Sequence, residues 1–305
     1  MYSEYTVEIE TARGPEEVHV LRRGHGPERF VIWHGFDSVN RFYDWEWLLR
    51  YGEVVRAGLP GHGPVKARPW RHYRGWETDH FFDTAAGLCR QLFEGHPLTV
   101  IGHSAGAQCA LGAALREPGL IGRMILVNPL VSPPYSRHSQ RLVRSCLWPV
   151  VGTLLLARTR GRKRRSVDRH LAASRTMVVD HERFSQDPRT RRFVAEGLAD
   201  YRKTPLRALV AASRVLVSTD LRPLLKQARL AVPTLILHGA ADRLCPVSQA
   251  EWLARHLGWA RLVVMERVGH IGYAEREDVF RDAVTGWLDA AASGCAMADA
   301  APDRS

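Results

Sequence analysis

From residue 30 onward the chain alternates short apolar runs with longer stretches of helical period. The apolar runs fall near 30–34, 53–57, 98–102, 123–128, 233–238 and 261–265 and read as buried strands. Between them, residues 42–50, 78–93, 105–116, 247–257 and 277–290 read as helices. Strands alternating with helices imply an α/β class protein, with a mostly parallel sheet and helices on both faces. Ahead of this pattern, residues 4–10 and 17–21 alternate apolar with polar positions around a turn at Arg13-Gly14-Pro15. They predict an antiparallel hairpin at the sheet edge, which brings the strand count to eight.

The alternation breaks after Asn128, and about a hundred residues pass before the next strand. That is too long for a plain loop. Helical signals fill it at Gln140–Ala157, Asp168–Ser174, Pro188–Tyr201 and Pro205–Ser218. The predicted division is therefore a core over 1–132 and 229–290, a helical insertion over 133–228, and a small polar tail at 291–305 that is expected to be mobile.

Composition narrows the class. The chain has 305 residues, 45% of them hydrophobic, enough for one large domain with an insertion. The N-terminus has no basic region leading into an apolar run, and the longest apolar stretch, Leu147–Ala157, is too short to span a bilayer. A cytoplasmic protein is expected. The five cysteines (89, 109, 146, 245 and 295) are scattered, which argues against a disulfide framework and against a zinc site. No phosphate-binding glycine loop and no cluster of metal ligands is visible, so neither a metal nor a cofactor is expected.

The net charge of +11 is unevenly spread. Residues 137–207 hold 18 Lys/Arg against 6 Asp/Glu, and the rest of the chain is close to neutral. The densest run, Arg158 to Arg165, reads as a basic loop. A solvated charge run is the plain alternative to a docking site. The acidic partners it would suit are an anionic membrane surface, given the neighbouring Leu-Trp-Pro-Val-Val segment, or an acidic acyl-carrier protein. Nucleic acid ranks last, because no nucleic-acid-binding signature accompanies the charge.

The chemistry lies at the ends of the strands. Leu98-Thr99-Val100-Ile101 runs into Gly102-His103-Ser104-Ala105-Gly106 and then a helix, the strand–Gly-x-Ser-x-Gly–helix context of a nucleophile elbow. Such a turn projects the Ser104 hydroxyl outward, and the helix that begins there favours negative charge beside it. Acyl transfer also needs two N–H donors aimed at the developing oxyanion. The backbone N–H groups of Phe36, after the strand ending His34-Gly35, and of Ala105 are the candidates. A base histidine needs a carboxylate on its other nitrogen. Asp242, on the loop after 233–238, and His270, on the loop after 261–265, supply the pair in the order Ser…Asp…His.

These segments, with Gly61-His62-Gly63, make the chain resemble the α/β-hydrolases over roughly residues 5–290. The resemblance implies an eight-stranded, mostly parallel sheet flanked by helices, with a helical cap inserted after the sixth strand. It implies Ser104 as nucleophile, His270 as general base and then acid, and Asp242 as the orienting carboxylate. Two positions depart from the family pattern. Gly58 stands where an Asp is common, and Asn128 occupies a site where some members carry the acid, which favours Asp242 for that role. A serine nucleophile argues against the dehalogenase and epoxide-hydrolase branches.

The expected activity is a cofactor-free serine hydrolase cleaving carboxylic esters of a moderately sized apolar acyl or aryl group through an acyl-enzyme. A thioesterase or acyltransferase acting on carrier-bound or CoA acyl groups is the alternative. A C–C bond hydrolase or a non-catalytic small-ligand binder stands third, since fold does not decide function. His34, His103, Leu147, Trp148 and Val151 are the candidate lining of the substrate pocket. Most apolar positions near 142–155 are expected to pack the cap onto the body instead.

Overall fold

The computed structural model describes residues 1–93, 95–133, 149–228 and 230–292. Eight strands form one sheet: β1 (Ser3–Ile9), β2 (Glu16–Arg23), β3 (Glu28–Trp33), β4 (Gly52–Ala57), β5 (Leu98–His103), β6 (Ile121–Val127), β7 (Thr234–Gly239) and β8 (Ala260–Met265). Their spatial order is β1-β2-β4-β3-β5-β6-β7-β8. The pairs β1–β2 and β2–β4 are antiparallel, and every other pair is parallel. The predicted edge hairpin and parallel body are both present.

Alternation along each strand builds two cores. Val31 and Trp33 of β3, Val100 of β5 and Leu126 of β6 face one apolar cluster. Phe30 and Ile32, Ile101, and Ile125 and Val127 face the other. Period-two burial on both sides is what a sheet covered on both faces requires. Helices α2 (Thr78–Leu92) and α3 (Gly106–Arg116) cover the first face, behind the short α1 (Trp70–Arg74).

Between β6 and β7 lie α4 (Pro149–Lys163), α5 (Val167–Ala172), α6 (His181–Gln186), α7 (Pro188–Lys203), α8 (Leu206–Ser218) and α9 (Arg222–Ala228). This is the helical cap after the sixth strand. Side-chain caps set several of its boundaries: Ser166, Asp180 and Asp187 accept from the N–H groups of Arg169, Arg183 and Thr190. Helix α10 (Val247–His256) follows β7, and α11 (Gly272–Glu275) and α12 (Glu277–Ala292) follow β8. The last carries Phe280, Val284 and Trp287 into the second core.

Two expectations are corrected. Residues 42–50 form two 3-10 turns, Asn40–Phe42 and Glu46–Arg50, rather than one helix. Tyr43 and Trp45 are both 1% exposed, and burying positions two apart on one side needs an extended link between the turns. The basic run 158–165 is largely helical, because α4 continues through it. Arg and Lys are good helix formers, and Arg160 is drawn inward by a buried acid. Much of the helix predicted over Gln140–Ala157 lies outside the described residues, as does most of the tail.

Candidate active site

Ser104 sits between β5 and α3 with φ +54, a backbone conformation that side-chain-bearing residues rarely adopt. Its N–H is held by the Val127 carbonyl at 2.9 Å, and its own carbonyl accepts from Ala107 and Leu130 at 3.1 Å each. The flanking glycines are required by close approach. A Cβ on Gly102 would stand 2.4 Å from the Gly106 carbonyl oxygen, and one on Gly106 would stand 2.4 Å from that of Trp33. The strained turn is thus locked between strand and helix, and Ser104 borders a cavity of about 1410 Å³ between sheet and cap.

His270 borders the same cavity. Its Nδ1 lies 2.7 Å from Asp242 Oδ2. Asp242 accepts further bonds from the N–H groups of Leu244 and Cys245 at 2.7 and 3.0 Å, and from Asn128 Nδ2 at 2.7 Å. Burial alone would raise this carboxyl. The neighbouring His270 and His238 and the Leu244 N–H outweigh burial and bring it down to about 2. An ionised Asp242 accepts from His270 Nδ1–H and leaves Nε2 free to take a proton. Asn128, where some relatives of this fold carry the acid, here orients it.

The backbone of His270 is held from two sides. Its N–H donates to the Met177 carbonyl at 2.6 Å, and its carbonyl lies 2.9 Å from His103 Nε2. Burial, then the nearby His270, lowers His103 to about 3, so His103 is neutral. Because Nε2 faces a carbonyl it must carry the proton, and Nδ1 therefore accepts from the Tyr43 hydroxyl at 2.7 Å. The Tyr43 oxygen in turn accepts from the Gly35 N–H at 2.8 Å. One buried tyrosine thus ties the loop after β3 to the nucleophile turn, and His103 ties that turn to the histidine loop.

The N–H groups of Phe36 and Ala105 form no hydrogen bond to another described residue, and Ala105 stands directly before α3. Two unengaged donors, one of them at a helix start, suit an oxyanion. Of the three pocket candidates among the described residues, His103 alone borders the cavity. His34 is 1% exposed and structural: Nε2 accepts from the Leu59 N–H at 3.1 Å, and Nδ1 lies 2.7 Å from the Gly35 carbonyl. Val151, one turn before Leu155 on the same face of α4, is 42% exposed and does not border the cavity, whereas Leu155 and Leu156 do. Leu147 and Trp148 lie outside the described residues.

Cys245 was not singled out from the sequence. It also lines the cavity, as Ser104 does, and burial holds its thiol well above its ordinary range. Asp242, Cys245 and His270 offer O, S and N atoms within 4.8 Å of one another. With Asp242 saturated by N–H donors and the thiol protonated, this set is arranged for proton transfer rather than for a metal ion. A second such group, Glu4, His19 and Asp200, is already bridged by Arg41, at 2.6 and 2.7 Å from the two carboxylates. No described helix is long and apolar enough to cross a membrane.

Acidic and basic side chains both border the cavity, eight Asp/Glu and seven Lys/Arg. Arg162, Arg169, Arg183 and Arg267 line it and have no ion-pair partner among the described residues. Two neighbouring acids, Asp180 and Asp187, are engaged as helix caps.

The sheet order, the strained serine turn and the paired acid and histidine loops define an α/β-hydrolase-fold serine hydrolase. The chain belongs to the family described as serine aminopeptidase, S33, whose model matches residues 30–277. Among curated proteins it is similar to two named pimeloyl-(acyl-carrier protein) methyl ester esterase. That of Aromatoleum aromaticum is 30% identical over 263 residues, 79% of this chain and 90% of the relative. That of Methylococcus capsulatus is 31% identical over 251 residues, 81% of this chain and 84% of the relative. An esterase structure from Exiguobacterium antarcticum shares the fold with a TM-score of 0.70 at 19% identity, over 93% of this chain and all (100%) of the other.

Proposed function

We propose that this protein is a serine esterase that hydrolyses a carboxylic ester on an acyl chain presented by an acidic acyl-carrier protein. Ser104 attacks the ester carbonyl while His270 removes its proton, with Asp242 stabilising the imidazolium. The Phe36 and Ala105 N–H groups receive the oxyanion. The alcohol departs with the proton from His270, and water activated by the same histidine releases the acid. Residues 133–228 act as the cap over this site. The cytoplasmic setting expected from the sequence accords with such a substrate.

The observation that carries the carrier reading is the set of cavity-lining arginines with no ion-pair partner among the described residues (Arg162, Arg169, Arg183). Cations at a rim steer an acidic partner and fix its orientation. The names of the relatives point the same way. An apolar ester without a carrier explains the cavity but not the arginines.

The structure also changes which residues a docking experiment should alter. Arg160 and Lys163 both bond Asp37 at 2.8 Å, so neutralising the whole run 158–165 would break the cap's attachment as well as its charge. The test is Arg162→Glu/Arg169→Glu/Arg183→Glu, assayed on a carrier-bound acyl methyl ester and on a p-nitrophenyl ester. kcat/KM on the carrier substrate is expected to fall at least about tenfold, with the small ester little changed. Equal loss on both substrates refutes carrier docking. Release of free acid and intact carrier thiol, rather than methanol, would assign a thioesterase instead. A wild-type chain inactive on every ester, and unlabelled by a fluorophosphonate at Ser104, refutes the serine esterase itself.

A further inference from the structure

The segment linking α5 to α6 belongs to the cap by sequence, yet it is bonded to the catalytic-histidine loop. The Met177 carbonyl accepts from the N–H groups of both His270 and Ile271, at 2.6 and 3.3 Å. Glu275, on the short α11, completes the join. Its Oε1 accepts from the N–H groups of Val179 and Asp180 at 2.5 and 3.1 Å, and its Oε2 accepts from the Gly269 N–H at 2.7 Å. One carboxylate therefore holds two cap amides and the amide directly before the base.

The packing is equally close. A Cβ on Gly269 would stand 2.4 Å from the Met177 carbonyl oxygen and 2.9 Å from the Val178 Cα, so only glycine admits the cap backbone there. Val178 is buried with Leu171, Phe184 and Val194 in a cap core, against which Ile271 and Ala274 pack. The histidine loop and α11 thus contribute one side chain each to the cap's own core.

We infer that Glu275 is a positioning residue that staples the cap segment Met177–Asp180 to the His270 loop, so that the base is in register only while the cap is seated. This rests on His270 being the base proposed above. Asp242 fixes the imidazole ring, but a ring fixed to one partner still moves with its backbone. That backbone is held by His103 on the body side and by Met177 on the cap side. Loss of the staple frees the cap side. Misplacement of a catalytic group by about 1 Å can cost on the order of a hundredfold in rate. A cap that only shapes the acyl pocket would affect KM, and would do so according to chain length.

The test uses the full-length protein with Glu275→Ala and Glu275→Gln, assayed on p-nitrophenyl acetate and p-nitrophenyl octanoate, with melting curves and amide exchange over 174–180 and 268–271. Glu275→Ala is expected to lower kcat by about 10- to 100-fold on both esters, with KM within about twofold. Glu275→Gln should fall between Ala and wild type, since its amide oxygen keeps part of the acceptor set. Exchange should rise in both segments together. Unchanged kcat in a folded Gln variant overturns the inference. So does a loss confined to KM of the longer ester, which would leave the cap a pocket wall only. Wild-type activity abolished by Ser104→Ala separates these outcomes from failure of the esterase reading.

Discussion

Asp37→Asn should destabilise the protein far more than an ordinary loop substitution. Asp37 follows Phe36, has φ +52, and its side chain is 10% exposed. Its carboxylate receives Arg160 Nη1 and Lys163 Nζ at 2.8 Å each and the Tyr201 hydroxyl at 2.9 Å. Arg160, 4% exposed in its side chain, also stacks over the Tyr201 ring at 4.0 Å. Burial alone would raise the Asp37 carboxyl, but Lys163, Arg160 and Tyr201 outweigh it and bring it to about 2, against an ordinary 3.8. A shift of that size corresponds to roughly 2 kcal/mol of stability at neutral pH. The asparagine variant also strands a buried guanidinium, and breaking a buried pair on one side costs about 3–5 kcal/mol.

Urea unfolding followed by far-UV circular dichroism measures this loss, and p-nitrophenyl ester turnover reports whether the Phe36 peptide has moved. The double variant Asp37→Asn/Arg160→Met should recover part of the stability, since an apolar side chain needs no partner. The sign with pH follows from the depressed carboxyl. Its contribution is complete above the unfolded value near 4 and is lost as pH falls towards about 2. Wild type should lose its advantage over Asp37→Asn across that window. A variant within about 1 kcal/mol of wild type at pH 7 would refute the reasoning, because a buried pair this well bonded should cost more to break.

Two further outcomes are expected. Tyr43→Phe leaves the Gly35 N–H and His103 Nδ1 without their partner; it should cost about 1–3 kcal/mol in urea unfolding and lower kcat, and a variant matching wild type in both would contradict the network. Gly106→Ala drives a Cβ to 2.4 Å from the Trp33 carbonyl oxygen and should abolish fluorophosphonate labelling of Ser104, whereas wild-type labelling would mean that the turn is looser than its contacts require.

The fold was legible because period-two apolar runs and helical runs are local patterns, and both strand faces are built from alternate residues of those runs. The serine turn was legible for a related reason: the constraint on Gly102, Ser104 and Gly106 is backbone geometry over five consecutive residues. The acid and the histidine could be placed because each follows a strand, and parallel strands deliver their following loops to one edge of the sheet.

What the sequence by itself determined was therefore the α/β architecture, the serine turn and the residues offered as its partners. Tertiary structure alone decided how the site is held. Tyr43 meets His103 across 60 positions, Arg160 meets Asp37 across 123, and Glu275 meets Val179 across 96. No periodicity announces these partners, because a side chain's spacing along the chain says which face it occupies and not what the fold places opposite it. The same physics separated Arg160 and Lys163 from Arg162 within one basic run: two reach a buried carboxylate and hold the cap, while the third lines the cavity with no ion-pair partner among the described residues.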